Sequence, residues 1–326
     1  MNSRNRFIAN HASFLALLRA GVEARGLIPV YDEWHPSPEL LEQSLACFVW
    51  FYDCLRFPVR IWRLKQRLRK FGVPLIAWNQ DAPHYLGRQG WRLDLLDRFR
   101  LLDIYATHTL VDRRRTFADS LLYLPNAVRP DLYNLRGANN EVLAHLRGPE
   151  GYRWDVSFFG GMDPSRYKED TDRAVFFAAL AERLDARGIS HCFRESTSMG
   201  ADEQVAFVQA SRINLNFGAR CEFRADSATG LPERCYGVPA CGGFLLCDKR
   251  THAKNDFTPG ENWADFDGLD DCVMQIEYWL ANFAAARNLA ERCHAHVMTH
   301  HTYAHRAATL HQALLGWHEG KRGRLA

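Results

Sequence analysis

Short apolar runs alternate with amphipathic stretches along the whole chain. Phe14–Arg25 has the spacing of an amphipathic helix and Leu27–Tyr31 that of a short strand; Leu40–Ser44 reads as helix. Ala46–Tyr52 (ACFVWFY) is continuously apolar, the mark of a strand buried on both faces. Pro58 to Phe71 is a basic helix, Pro74–Trp78 (PLIAW) the next buried strand, and Leu93–Phe99 a helix. Asp103–Ala106 then predicts a strand, Val111–Asp119 a helix and Leu121–Leu124 a strand. Strand and helix taking turns predict a parallel sheet covered on both faces. Residues 125–150 break the rhythm with Pro125, Pro130, Gly137, Gly148 and Pro149, which places a domain boundary near 148.

The alternation then restarts. Trp154–Phe159 predicts a strand running into Gly160-Gly161, and Thr171–Arg187 a helix closed by Gly188. Strands follow at Ser190–Arg194, Ile213–Phe217 (INLNF) and Phe244–Cys247, with helices at Asp202–Ala210 and Pro232–Pro239 between them. Asp270 to Phe283, Ala284–His300 and Thr302–Trp317 close the chain as helices. The expected organisation is a domain over 1–148, a second over 149–300, and a tail over 301–326. Two βα domains that bind ligands at strand carboxyl ends imply a cleft between them.

Composition narrows the class. The chain has 326 residues, 47% hydrophobic and 24% charged, which excludes a disordered or disulfide-stapled chain. The formal charge of +3 does not argue for nucleic acid, and none is expected as a partner. Basic residues concentrate in 51–100, eleven against four acidic, a bias that fits an anionic partner or a solvated face. Within it, RIWRLKQRLRK (60–70) mixes cations with Ile61, Trp62, Leu64 and Leu68, which suits docking on an anionic membrane surface or packing into a core. Nine cysteines form no C-x-x-C pair; Cys235, Cys241 and Cys247 read as small buried apolar residues in a reducing compartment. No stretch approaches the roughly 20 apolar residues of a membrane span, and the N-terminus lacks the h-region of a signal peptide. The expected location is the cytoplasm, including the inner face of the membrane.

Three segments offer chemistry. VSFFGGMDPSR ends a strand in Gly160-Gly161, where backbone N–H groups approach a diphosphate, with Arg166 behind them; the alternative is a plain tight turn. LPERCYGVPACGGFLLCD leads from Arg234 through a short helix to Gly242-Gly243 and a buried strand; either an anion site or helix–turn–strand packing explains it. NDFTPGENWADFD is a polar loop in which Glu261 suits a ribose or sugar hydroxyl, or is a solvated acid. For a general base, Asp81 follows the PLIAW strand at its carboxyl end, and His84 and His108 also follow strands. His301 and His305 share the spacing of one helix face, but no H-E-x-x-H pattern accompanies them and no metal site is expected.

Taken in order, these segments resemble the CgeB-like glycosyltransferases, a bacterial branch of the GT-B superfamily. The resemblance rests on Trp78–Pro83 (WNQDAP), Leu124–Tyr133, Asp155–Gly160, Arg166, Asn214–Phe217, Arg234–Leu246, Phe257–Glu261 and His301–Arg306, spread over roughly residues 70–315. It implies two facing Rossmann-like domains, with a last helix crossing back to the first. A nucleotide-sugar donor is expected on the C-terminal domain, near Gly160, Gly161, Arg166, Asn216, Arg234, Gly242, Gly243 and Glu261. A glycan, lipid-linked or protein acceptor is expected on the N-terminal one. Hexose transfer without a metal or other cofactor is the implied activity. The family's R-x-F-E stands here as Arg-Cys-Tyr-Gly, with Gly237 in the place of the ribose-holding Glu. Either Glu261 takes that role, or nucleotide choice differs, or the site is degenerate and the domain binds without turnover. A nicotinamide-dependent oxidoreductase shares only the fold type and lacks G-x-G-x-x-G.

Overall fold

The computed structural model describes residues 4–10, 19–31, 33–80, 90–110, 118–148, 150–162, 171–218 and 229–322. The chain divides into two compact units, Met1–Asn126 with Tyr303–Ala326, and Ala127–Thr302.

The first unit opens with β1 (Arg6–Ala9), α1 (Arg19–Glu23), β2 (Ile28–Tyr31), α2 (Pro38–Glu42) and β3 (Ser44–Trp50). It continues with α3 (Phe51–Arg56), α4 (Pro58–Lys70), β4 (Leu75–Asn79), α5 (Gly90–Phe99), β5 (Leu102–Thr107) and β6 (Ala118–Tyr123). The strands are all parallel, in the order β2-β1-β3-β4-β5-β6. Ile8, Cys47, Val49, Leu75 and Ala77 bury one sheet face with Leu41, Ile61, Leu64 and Leu68 of the helices. Phe7, Phe48 and Trp78 pack together as aromatic neighbours.

The second unit holds α6 (Asn139–Arg147), β7 (Trp154–Gly160), α7 (Thr171–Asp185), β8 (His191–Glu195), α8 (Ala201–Gln209) and β9 (Ser211–Asn216). It ends with α9 (Arg234–Ala240), β10 (Leu245–Asp248), α10 (Ala253–Asp256), β11 (Ala264–Phe266), α11 (Gly268–Ala281) and α12 (Phe283–His300). This sheet is also wholly parallel, ordered β11-β10-β9-β7-β8. The last helix, α13 (Tyr303–Arg322), belongs to the first unit. Its Ala304 and Ala307 sit so close to Gly21 of α1 that a Cβ there would lie 2.6 Å from the Ala307 Cβ. Buried Arg306 donates from Nε to the Pro125 carbonyl (3.0 Å) and from Nη2 to that of Asn126 (2.9 Å).

Several elements differ from the sequence reading. β1 is a strand the pattern misses, because four residues among polar neighbours give too short a signal. The apolar run at Ala46–Tyr52 changes state inside itself: Phe51, Cys54 and Leu55 bury at helical spacing, so β3 stops at Trp50. The helix expected at Leu40–Ser44 begins earlier, because Ser37 accepts from the Leu40 N–H (3.2 Å) and Pro38 opens the first turn. Ala118 and Asp119 lie in β6 rather than in a helix. Residues 127–148 pack in the second unit, not before a boundary at 148, because Leu135, Leu143 and Leu146 lie against Gly242.

Candidate functional site

In a parallel sheet the βα loops gather at the strand carboxyl ends, where ligands bind. In the second unit β7, β9 and β10 bring Gly160, Asn216 and Asp248 to that edge. Arg234, the first residue of α9, reaches back to β7 and is enclosed there. Its guanidinium lies 4.5 Å from the Phe158 ring centre and 5.3 Å from that of Phe159. A Cβ on residue 160 would stand 2.5 Å from Arg234 Nη2 and 2.7 Å from Phe158 Cζ, so any side chain here displaces the guanidinium or the ring.

The charge on Arg234 is poorly compensated. Nη1 donates to Asn216 Oδ1 (2.8 Å), while Nε is buried without a hydrogen-bond partner. Among the described residues no carboxylate pairs with it. Burial first, and the Arg173 guanidinium second, push its pKa down to about 9. The nearby Asp248 is already committed: its two oxygens take the Arg250 fork (3.0 and 2.9 Å), and they also accept from Asn216 Nδ2 (2.8 Å) and the Gly218 N–H (3.0 Å). Asp248 and Arg250 are both buried. Asn216 therefore engages both ends of its amide inside the protein, Nδ2 with Asp248 and Oδ1 with Arg234.

Arg173, from the first turn of α7, fixes the rim. It donates to the carbonyls of Gly161 (2.7 Å), Phe217 (3.0 Å) and Gly218 (2.6 Å), joining the segments that follow β7 and β9. Three guanidiniums thus share the cluster with Asp248. A partly buried cation with spare donors favours an incoming anion, and the planar fork suits phosphate.

The structure brings Gly160, Gly161, Asn216 and Arg234 together, and moves two predicted residues away. Gly242 and Gly243 precede β10 at its amino end, the opposite edge of the sheet. Their place is the end of α9: Gly242 has φ +78°, and the Gly243 N–H reaches the Val238 carbonyl (3.1 Å) in a helix-terminating turn. A Cβ on Gly242 would meet Leu135 at 2.8 Å, and one on Gly243 would meet Val208 at 2.5 Å. Both glycines pack at the end of α9, on the sheet edge opposite Gly160 and Arg234. Glu261 is exposed in a turn whose carbonyl accepts from Arg292 Nε (2.5 Å), and no hydrogen bond or ion pair among the described residues ties it to the cluster. His108 is buried after β5 in the first unit. Asp81, His84 and Arg166 lie outside the described residues.

Arg173, Asp248 and Arg250 are parts of the site that sequence reasoning missed. Asp248-Lys249-Arg250 directly after the buried run FLLC was the available signal, since charges there must sit at a strand carboxyl end. The expected His301/His305 pair is not on one helix, because α13 starts only at Tyr303. His301 Nε2 instead lies 3.0 Å from the Asp256 carbonyl and 3.1 Å from His296 Nε2. Gly237, one turn after Arg234, has nothing within 4 Å of an added Cβ.

Residues 152–312 match the model of the family described as glycosyl transferase-like. No curated protein sequence matches the chain. Among solved structures it is similar to a sucrose-phosphate synthase from Thermosynechococcus elongatus (TM-score 0.63, 11% identity, covering 97% of this chain and 100% of that one). It is also similar to HepE of Anabaena, solved with UDP and glucose (TM-score 0.59, 9% identity, 95% and 99% covered), and to a glycosyltransferase from Rickettsia africae (TM-score 0.60, 8% identity, 97% and 99% covered). The chain has the two-domain GT-B fold of these proteins, and its residues 152–312 match the glycosyl transferase-like family.

Proposed function

We propose that the protein is a glycosyltransferase that moves a hexose from a nucleotide diphosphate sugar to a hydroxyl of a glycan, lipid-linked or protein acceptor, without a metal ion. One observation carries this reading: Arg234 is a partly buried cation at the strand carboxyl ends, with a buried, unsatisfied Nε and no carboxylate on it among the described residues. In this reading the acceptor hydroxyl attacks the anomeric carbon, the bond to the diphosphate breaks, and its departing charge is met by Arg234. Arg173 and Asn216 hold the geometry, Gly160 and Gly161 let the diphosphate approach, and Glu261 remains the candidate for a sugar or ribose hydroxyl. If the reaction inverts stereochemistry, Asp81 is the first candidate to take the acceptor proton, with His84 and His108 as the others. The HepE structure solved with UDP and glucose supports testing UDP first.

Calorimetry with UDP, GDP, dTDP and CDP, with and without Mg²⁺, tests the donor site. One nucleotide is expected to bind at micromolar concentration without Mg²⁺ and to lose binding in Arg234→Met. No binding at millimolar concentration by any of the four overturns the assignment. Gly237, whose surroundings leave open space where the resembling family has a carboxylate, supports a second reading: a binding module without turnover. Tight UDP binding with neither transfer nor hydrolysis of UDP-glucose selects that reading.

A further inference from the structure

The first unit holds a second cluster of arginines, unlike the first. Arg56, Arg60, Arg63 and Arg67 line a groove of about 660 Å³ along α4, walled by Trp34, Pro58 and Leu64. Arg60 lies flat over the Trp34 ring, 4.0 Å from its centre. Among the described residues no carboxylate pairs with any of the four, whereas Lys65 of the same helix has Asp103 at 3.7 Å.

The helix divides its surface three ways. Ile61, Leu64 and Leu68 enter the core. Arg60, Arg63 and Arg67, at i, i+3 and i+7, form one exposed stripe. Val59 and Trp62 form the next, 60% and 50% exposed, with Phe57 before the helix also exposed. Unpaired cations beside exposed apolar side chains match an interface with an anionic head region and an apolar layer beneath it. A soluble phosphate explains the arginines but leaves Val59 and Trp62 in water.

We infer that α4 docks the protein on an anionic phospholipid surface. Phosphate headgroups enter the arginine groove, and Phe57, Val59 and Trp62 dip into the acyl boundary. The inference is independent of the donor site, since α4 belongs to the first unit and Arg234 with its partners to the second.

Flotation of the full chain with vesicles tests it. Binding is expected to vesicles containing phosphatidylglycerol, to be absent with phosphatidylcholine alone, and to weaken as salt rises. Replacing Arg60, Arg63 and Arg67 together by Gln is expected to weaken binding about a hundredfold. Val59→Ser with Trp62→Ser is expected to weaken it about tenfold at unchanged charge. All five side chains are exposed, so both variants are expected to keep the wild-type thermal midpoint. Equal binding to both vesicle types, or wild-type binding by the arginine variant, overturns the inference. So does calorimetric binding of inorganic pyrophosphate to the groove without vesicle binding, which would assign it to a soluble ligand.

Discussion

Arg234 is enclosed between β7 and α9, with two rings and an amide fixing its plane. Arg60, Arg63 and Arg67 are exposed along α4, and only Arg60 has a ring against it, that of Trp34. Both groups lack a carboxylate partner among the described residues. Burial makes the difference. In water a free guanidinium costs almost nothing, because solvent screens it, and its attraction for an anion is equally weak. Inside the protein the same charge is destabilising until an anion arrives, and the approach of that anion is correspondingly favourable. One cluster therefore suits selective recognition of a single diphosphate, the other a loose, salt-sensitive contact with many charges at once.

Arg234→Met keeps the bulk of the side chain and removes the charge. Truncating one member of a buried charge pair costs about 2–5 kcal/mol, so nucleotide affinity is expected to fall about a hundredfold or more. The unliganded protein is expected to hold or raise its thermal midpoint, because an uncompensated buried cation has gone. A lowered midpoint with unchanged affinity would show that Arg234 is a structural ion rather than a ligand-facing one. Arg234→Lys is not expected to rescue binding: a lysine cannot keep both the Asn216 bond and the face-on contact with Phe158.

A glycine pair sharpens the same contrast between enclosed and open surroundings. Gly160→Ala pushes a methyl group into the Arg234 guanidinium and is expected to lower both stability and nucleotide affinity, by about 1–3 kcal/mol of stability. Gly237→Ala enters open space on a helix and is expected to raise stability by about 0.5–1 kcal/mol. Chemical denaturation of the two variants measures both signs. Equal effects would mean that the packing around Arg234 is not tight.

Much of this was legible in the sequence, for a physical reason. Fully buried parallel strands are near-continuously apolar, so ACFVW and PLIAW stand out against any background, and WDVSFF does so through Val156, Phe158 and Phe159. The rule that ligands meet strand carboxyl ends then made Gly160 a candidate, and a helix N-terminus made Arg234 one. The same rule should have rejected Gly242 and Gly243, because a glycine pair between a helix and the following strand falls at the amino edge. A phosphate loop and a helix-terminating turn both ask for glycine, and composition does not separate them; the order of elements does. Arg173 was hidden for another reason. Its bonds go to three backbone carbonyls distant in sequence, and such contacts leave no local pattern. Asp248 and Arg250 were visible as charges after a buried strand, but only the fold shows that they neutralise one another and leave Arg234 alone.

Arg147 is an exposed arginine that does have a carboxylate partner. Arg147 of α6 holds Glu291 of α12 through two bonds, Nε at 2.7 Å and Nη2 at 2.6 Å. The hydrogen bond from Arg147 is the main cause that holds the Glu291 carboxyl below its ordinary 4.5. A carboxylate with a depressed folded pKa stabilises the protein above its unfolded value, and that contribution is lost as pH falls through the folded one. Arg147 is 59% exposed at its side chain, so screening keeps the pair small. Arg147→Ala is expected to lower the denaturant midpoint only slightly at neutral pH, and the deficit is expected to close as the pH falls below the ordinary carboxylate value of 4.5. Denaturant midpoints of the two proteins at pH 7 and pH 3 measure it. A deficit that persists at low pH would mean that Arg147 acts through packing of its stem on α12. In that case exposed arginines contribute here through their apolar atoms, and the stems along α4 would need the same reading.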